Sequence, residues 1–168
     1  MTPRVVLVGP PGSGKSTVGE LLAARLAVAF RDTDRDVEAA AGKPVSDIFI
    51  DDGEEHFRAL EHASVAAALA DHSGVLAVGA GAVLDDATRQ ALRGHEVVFL
   101  DVGLPEVVRR AGMARDRPLL LANPRAQMRR LLEGRRHLYL EVATATVSTD
   151  DRSPEQVVAA VEAVLDDG

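Results

Sequence analysis

Residues 9–17 read Gly-Pro-Pro-Gly-Ser-Gly-Lys-Ser-Thr, and this stretch decides the fold because it matches the pattern G-x-x-x-x-G-K-[ST] in full. Glycines in such a loop allow successive backbone N–H groups to turn inward around phosphate oxygens. The helix that follows presents its positive N-terminal end to the same anion. The lysine adds a charge for the β- and γ-phosphates, and the hydroxyl after it can ligate Mg²⁺. The stretch therefore predicts binding of a nucleoside triphosphate by Gly12, Ser13, Gly14, Lys15, Ser16 and Thr17.

Strand-like and helix-like segments alternate along the rest of the chain. Short apolar runs rich in β-branched residues predict strands at residues 4–8, 28–31, 74–78, 96–101 and 145–148. Apolar residues at helical spacing predict helices at residues 16–26, 34–41, 54–70, 104–111, 124–142 and 154–165. Such alternation implies a parallel sheet with helices on both faces and right-handed crossovers. We expect one α/β domain over residues 1–168.

The composition excludes several classes of protein. The 168 residues are 46% apolar, contain no cysteine and carry a net charge of −7. No apolar run is long enough to span a membrane, and an acidic body argues against binding of nucleic acid. We expect a soluble cytoplasmic protein. Residues 109–136 are the basic exception, with nine arginines against two acids. This segment is typical either of a solvated helix face or of a site for a small, highly charged anion.

The second predicted strand ends at Asp32-Thr33-Asp34, where ligands gather in open α/β sheets. Two carboxylates two residues apart face the same way if the chain stays extended. One could then hold Mg²⁺ through water while the other accepts a hydroxyl proton. The alternative is a turn in which an aspartate caps the next helix.

An ordered set of motifs resembles the shikimate kinase family over about residues 4–155. The motifs are residues 9–17, Asp32-Thr33-Asp34, Gly53-Glu54 with Phe57-Arg58 and Glu61, Gly79-Ala80-Gly81, Arg117-Pro118-Leu119-Leu120, and Arg135 with Leu138-Tyr139. The family transfers the γ-phosphoryl group of ATP to the 3-hydroxyl of shikimate, with Mg²⁺, on the route to chorismate and the aromatic amino acids. The resemblance implies a monomer with a three-layer α/β/α P-loop fold of the nucleoside monophosphate kinase type. Its five-stranded parallel sheet would have the order 2-3-1-4-5.

The resemblance also implies how the acceptor is bound, in a region of about residues 32–62 and beyond it. Asp34 would bind the substrate hydroxyls and act as the base. Asp32 would lie behind a Mg²⁺ ion held by Ser16. Arg58 and one arginine of the pair Arg135-Arg136 would bind the shikimate carboxylate, since planar guanidinium groups match carboxylates. The turn of Gly79, Ala80 and Gly81 would present backbone N–H groups to the substrate.

A lid of about residues 112–124 would close over the nucleotide in this family. Its Arg117 would reach the transferring phosphoryl group, and is expected to be catalytic together with Lys15 and Asp34. Arg110, Arg152 and Pro154 would lie near the adenine. A closed lid would exclude water, which otherwise competes as acceptor.

Two departures from the family pattern leave questions open. Ala80 stands where the family usually has glycine, so its methyl group would restrict the backbone or crowd a bound ring. His137 stands where the family pattern Arg-x-Pro-Leu-Tyr has proline. Counting back from Tyr139 selects Arg135 as the carboxylate ligand, with Arg136 as the fallback if the register differs by one residue.

Two other functions remain open at this point. One is a kinase of another small metabolite, such as gluconate. The other is a catalytically weak ATP-binding regulatory protein, which Ala80 would favour. The presence of Lys15, Ser16, Asp34 and Arg117 argues against the second, because a binding module does not need a complete transfer apparatus.

Overall fold

The computed structural model describes residues 2–113 and 124–166, without the side chains of residues 110–113, 124 and 125. The strands are β1 (Val5–Val8), β2 (Phe30–Asp32), β3 (Val75–Ala77), β4 (Val97–Asp101) and β5 (Ala145–Ser148). The α-helices are α1 (Lys15–Leu26), α2 (Thr33–Ala41), α3 (Val45–Asp52), α4 (Glu54–Asp71), α5 (Asp86–Leu92), α6 (Leu104–Met113), α7 (Pro124–Val142) and α8 (Pro154–Asp166). A short 3-10 helix covers Ala82–Leu84.

The described strands form one parallel sheet in the order β2-β3-β1-β4-β5, which confirms the expected fold class. Strand β1 lies in the middle, and all four of its residues are buried. It pairs with β3 through Val6 and Leu76 and with β4 through Leu7 and Val98. Because all strands run the same way, the loops after β1, β2 and β3 meet at one edge of the sheet.

Alternate residues of each strand feed two separate cores, one on each face of the sheet. Val6 and Val8 belong to the core covered by α4, α5 and α7. Val5 and Leu7 belong to the core covered by α1 and α8. The sheet is therefore buried on both faces, as parallel sheets require.

A third, smaller core holds together the helices beyond β2. It consists of Val37 from α2, Ile48 from α3 and Phe57 from α4, all of which are buried. The rings of Phe49 and Phe57 lie 4.6 Å apart, centroid to centroid. This core packs α2, α3 and α4 against one another, so their arrangement does not depend on the sheet alone.

The structure adds elements that the sequence patterns did not predict. Helices α3 and α5 have only eight and seven residues, too few for a clear 3.6-residue period. Asp85 caps the start of α5, because its carboxylate accepts the Thr88 N–H. None of the helices predicted from the sequence begins at this capping residue. Strand β2 also runs to Asp32 rather than Arg31, and the next helix begins at Thr33 rather than Asp34. Among the described helices, none combines the length and apolar character that a membrane crossing requires.

Gly74 lies where the start of β3 approaches the chain just before β2, and substituting this glycine tests that close packing. A Cβ on Gly74 would overlap the carbonyl oxygen of Ala29, which is backbone and already accepts the Val75 N–H at 2.9 Å. We expect Gly74→Ala to lower the free energy of unfolding by about 1–3 kcal/mol, measured by urea denaturation. The matched control is Gly134→Ala in α7, where no atom lies within 4 Å of the added Cβ. That substitution should raise the free energy of unfolding by roughly 0.5–1 kcal/mol. Equal effects of the two substitutions would contradict the close packing.

Candidate active site

The phosphate-binding loop connects β1 to α1 and is shaped by its own hydrogen bonds. Gly14 has φ 91°, a left-handed conformation that glycine adopts without strain, and it directly precedes the first residue of α1. The Ser13 N–H donates to the Pro10 carbonyl at 3.1 Å. The Lys15 ammonium group donates to the carbonyls of Gly9 and Pro10 at 2.8 and 3.2 Å. The Lys15 side chain thus folds back onto the loop that precedes it in the chain, next to the predicted phosphate site.

Asp32 links this loop to the start of α2. One oxygen of its carboxylate accepts the Ser16 hydroxyl at 3.0 Å, and the other accepts the Asp34 N–H at 2.9 Å. Of the two arrangements left open by the sequence, the capping one is therefore realised, because the strand ends at Asp32 and the helix begins at the next residue. The chain becomes helical at Thr33 because the Asp32 side chain satisfies a backbone N–H of the first turn of α2.

Asp34 is the partly buried carboxylate of the site. Burial raises the pKa of Asp34, and the neighbouring Asp32 charge raises it further, against the opposing charge of Lys15. A Cβ on Gly79 would lie 2.5 Å from an Asp34 carboxylate oxygen and 2.7 Å from a Glu61 carboxylate oxygen. The glycine is required at this position because both carboxylates pack against its backbone.

Arg58 and Glu61 form an ion pair on α4, with Nη1 of the arginine 2.7 Å from Oε1 of the glutamate. Glu61 is only 2% exposed, so this is not a surface pair. Burial raises the pKa of the Glu61 carboxyl, while the Arg58 guanidinium opposes that effect. The guanidinium carbon of Arg58 also lies 5.2 Å from the centre of the Phe57 ring. Arg58 is therefore fixed on two sides before any substrate arrives.

The turn after β3 packs against these groups. The Gly79 N–H donates to the Thr33 hydroxyl at 3.0 Å, so this N–H is not one that would bind substrate. Among the described residues, the N–H groups of Ala80 and Gly81 have no hydrogen-bond acceptor. A Cβ on Gly81 would lie 2.5 Å from Arg58 Nη1, which explains the second glycine.

Ala80 fits the turn without backbone strain. The non-glycine residues with positive φ in the described part of the chain are Ala27 and Asp151, so residue 80 does not need the freedom of glycine. Its carbonyl accepts the Tyr139 hydroxyl at 2.6 Å. The concern about a restricted backbone at Ala80 therefore does not apply to this conformation.

Arg135 and Arg136 point to different partners. The Arg135 charge acts on the Glu61 carboxyl and on the Tyr139 hydroxyl, so its guanidinium lies near these two groups. Arg136 instead donates from Nη2 to the Asp101 carboxylate at 2.8 Å, and that ion pair raises the pKa of Arg136. The geometry favours Arg135 over its neighbour as a ligand for an anion bound beside Arg58.

A cleft of about 290 Å³ continues from the loop between α6 and the start of α8. It is lined by Ser13, Gly14, Thr17, Val18, Glu106, Arg109, Thr149, Arg152, Pro154 and Val157. Arg152 and Pro154, expected near the adenine, both belong to this cleft. The side chain of Arg110 lies outside the described part of the chain, and so do Arg117 and residues 114–123 of the expected lid.

Several residues of the site were not assigned a role from the sequence. Thr33 and Tyr139 were quoted only as parts of motifs, although Tyr139 is the single tyrosine of the chain. Thr149, which also lines the nucleotide cleft, belongs to none of the predicted motifs. The hydrogen bond that Thr33 accepts from Gly79 and the one that Tyr139 donates to Ala80 join residues 46 and 59 positions apart in the chain, so no local pattern could have revealed them.

The P-loop, the central parallel sheet and the carboxylate–arginine cluster beside them define a P-loop kinase that acts on a small molecule. A family model described as shikimate kinase matches residues 11–166. The chain belongs to the shikimate kinase family and is an enzyme, a phosphotransferase.

Individual relatives agree with this assignment. The chain is 62% identical over 165 residues to a shikimate kinase of Salinispora arenicola, covering 98% of this chain and 99% of that protein. The solved structure of a shikimate kinase from Acinetobacter baumannii in complex with shikimate has a TM-score of 0.91 at 32% identity, covering 98% of this chain and 93% of that one. A gluconokinase from Sinorhizobium meliloti has a TM-score of 0.61 at 22% identity over 96% of this chain and 90% of that one, a likeness of fold alone.

Asp34→Asn tests the electrostatic cost of the site. Because the folded-state pKa of Asp34 is raised, its ionised form destabilises the folded protein at neutral pH. We expect the variant to have a Tm about 2–4 °C higher than that of the parent at pH 8, and the difference to shrink as the pH falls and to vanish well below about 4, where the acid is neutral in the unfolded state as well.

The control for this measurement is Asp52→Asn. The hydrogen bond to Lys43 lowers the pKa of Asp52, so removing that charge should lower Tm slightly or leave it unchanged. A Tm of Asp34→Asn below that of the parent at pH 8 would contradict the expected cost.

Proposed function

We propose that the protein transfers the γ-phosphoryl group of ATP to the 3-hydroxyl of shikimate, giving shikimate 3-phosphate and ADP, with the residues of the cluster described above. Membership of the shikimate kinase family supports this reaction. The single observation that carries the residue roles is the meeting of Lys15, Asp34 and the Arg58–Glu61 pair at the edge of the sheet. The site for the phosphoryl donor would thus lie next to the site for the molecule that accepts the phosphoryl group.

Arg58 and Arg135 would bind the carboxylate of shikimate. Both guanidinium groups influence the charge of the buried Glu61 carboxyl, so they lie on one side of the cluster. Two planar guanidinium groups give a carboxylate charge-assisted, directional hydrogen bonds. The N–H groups of Ala80 and Gly81 would add donors to the acceptor molecule. This binding fixes the orientation of the ring, on which the rate of transfer depends.

Asp34 would accept the proton of the attacking hydroxyl. Burial and the Asp32 charge raise the pKa of Asp34, which brings it nearer to the operating pH and improves it as a general base. Lys15 would stabilise the negative charge on the phosphates and keep the transferred group close to the acceptor. The Asp34→Asn variant should therefore lose kcat by about 10²- to 10⁴-fold although it is expected to be more stable.

The residues near the loop fit Mg²⁺. The Ser16 hydroxyl and the Asp32 carboxylate lie 3.0 Å apart, and oxygen is the ligand that Mg²⁺ prefers. Residues 2–113 and 124–166 contain no group of three or more His, Cys, Asp or Glu side chains that could hold a metal ion. When bound, Mg²⁺ would neutralise charge on the β- and γ-phosphates. Ser16 would be its direct ligand, with Asp32 behind it.

Several further expectations stay proposals. Arg117 would stabilise charge on the transferring group from a lid of about residues 112–124, and Arg110 would accompany Arg152 and Pro154 at the adenine. We also propose a monomer of one domain in the cytoplasm, as the family resemblance and the composition of the sequence imply. Size-exclusion chromatography with light scattering would test the monomer.

The two rival functions have less support. The gluconokinase likeness concerns the fold alone, at 22% identity. A regulatory role had Ala80 as its main support, and Ala80 fits its turn without a positive φ.

A substrate panel tests the reaction itself. Release of ADP should require both ATP and shikimate and should be at least about 100-fold faster, as kcat/KM, with shikimate than with gluconate. The measurement is a coupled ADP assay at matched concentrations, with the Lys15→Ala variant as the control for contaminating kinases. No turnover of shikimate at high protein concentration would overturn the proposed function, and faster turnover of gluconate would replace it by the rival.

Arg135 and Arg136 form a natural matched pair for the carboxylate ligand. We expect Arg135→Ala to raise the KM for shikimate by about 10- to 100-fold, because a charge-assisted hydrogen bond to the substrate is lost. Arg136→Ala should change this KM by less than about threefold, since its guanidinium is engaged with Asp101. The KM for ATP should stay within about twofold in both variants. The reverse ranking in steady-state kinetics would show that the register is shifted by one residue.

A further inference from the structure

Tyr139 is a large and almost fully buried side chain beside the acceptor site. Tyr139 is 1% exposed, and its ring stacks on Phe99 with the centroids 5.1 Å apart. A phenylalanine would fill the same apolar space, so the packing does not explain the hydroxyl. A buried hydroxyl without a hydrogen bond costs free energy, and this one donates to the Ala80 carbonyl at 2.6 Å.

That hydrogen bond joins two elements that carry proposed substrate ligands. Tyr139 belongs to α7, and Ala80 lies in the turn after β3. The same turn is held at its other end by the hydrogen bond from the Gly79 N–H to the Thr33 hydroxyl. The carbonyl side of the turn is thus fixed by α7 and its amide side by α2. Gly81, which follows Ala80 in the turn, packs directly against the Arg58 guanidinium.

Arg135 approaches the same hydroxyl from one helical turn earlier on α7, at the i, i+4 spacing that puts both side chains on one face. Burial raises the pKa of Tyr139 to about 12, against the opposing charge and hydrogen bond of the Arg135 guanidinium. The hydroxyl therefore stays protonated at physiological pH. It can donate its proton to Ala80 while its lone pairs accept from Arg135.

We propose that Tyr139 is a positioning residue whose hydroxyl fixes the Gly79–Gly81 turn and the Arg135 guanidinium together, and thereby sets the affinity for the acceptor. The proposal rests on the proposed function, in which Arg135 and the turn bind shikimate. In this proposal Tyr139 acts through the turn and Arg135, and not by contact with the substrate or the transferred phosphoryl group. Its loss should therefore change binding of the acceptor and leave the chemical step and the nucleotide site intact.

Tyr139→Phe is the direct test because it keeps the ring and removes only the hydroxyl. We expect the KM for shikimate to rise about tenfold, with kcat and the KM for ATP within about twofold of the parent values and an unchanged pH profile. The control is Thr144→Val, which removes a hydroxyl that accepts the Val97 N–H at 3.0 Å near the amino end of β4. That control should leave both KM values unchanged.

Two results would overturn the proposal while leaving the proposed function in place. One is an unchanged KM for shikimate in Tyr139→Phe. The other is a parallel change of kcat and both KM values with a lowered Tm, which a merely structural role would produce. Turnover of shikimate by the parent protein is measured in the same experiment, so failure of the proposed function would be recognised separately.

A double-mutant cycle tests the part of the proposal that acts through Arg135. In the Arg135→Ala background, Tyr139→Phe should raise the KM for shikimate by less than about threefold, because one of its two targets is already absent. Full additivity of the two effects would overturn the link through Arg135. Isothermal titration calorimetry with shikimate gives the same comparison as dissociation constants, independent of turnover.

Discussion

The arrangement of the site depends on the two hydrogen bonds that the Asp32 carboxylate accepts. Its two oxygens accept the Ser16 hydroxyl and the Asp34 N–H, so one side chain connects the phosphate loop to the start of α2. Because the chain turns helical at Thr33, the Thr33 hydroxyl reaches Gly79 and Asp34 approaches Lys15. Without this carboxylate, the phosphate loop would lose its direct hydrogen-bonded link to the first turn of α2.

The site brings together charged side chains, each of which would be costly to bury without an oppositely charged neighbour. Asp34 and Glu61 have raised pKa values because burial disfavours their ionised forms, and each is partly compensated by cations: Lys15 and Arg58 for Asp34, Arg58 and Arg135 for Glu61. Such a cluster favours a ligand that carries its own negative charge, since arginines held beside carboxylates still have donors to offer. The electrostatic cost is present before the substrate binds, which is typical of preorganised sites.

Local patterns in the sequence were sufficient for most of the fold. The P-loop and the five strand segments are contiguous, and their residue types carry the physical reason for the structure. The order of the strands came from the resemblance to a family rather than from periodicity. The short helices α3 and α5 were not predicted, since fewer than nine residues give little periodic signal.

The site was less accessible to sequence reasoning than the fold. The sequence left open whether Asp32 and Asp34 share a strand face or Asp32 caps a helix, and the cap forms because it satisfies an amide at the start of α2. The roles of Thr33 and Tyr139 depend on hydrogen bonds between residues far apart in the chain, which exist only after the sheet and its helices have packed. The spacing to Tyr139 selects Arg135 over Arg136, and the ion pair of Arg136 with Asp101 is further support that could not be read from spacing.

The separate cores described for the two faces of the sheet have an evolutionary consequence. Helix α1, which follows the nucleotide loop, packs in one core, whereas α4 and α7 pack in the other and α2, α3 and α4 share a small core of their own. Substitutions that reshape the acceptor pocket therefore need not disturb the packing beneath the phosphate loop. Lineages with this architecture can exchange one acceptor for another while the machinery for the common donor is inherited unchanged.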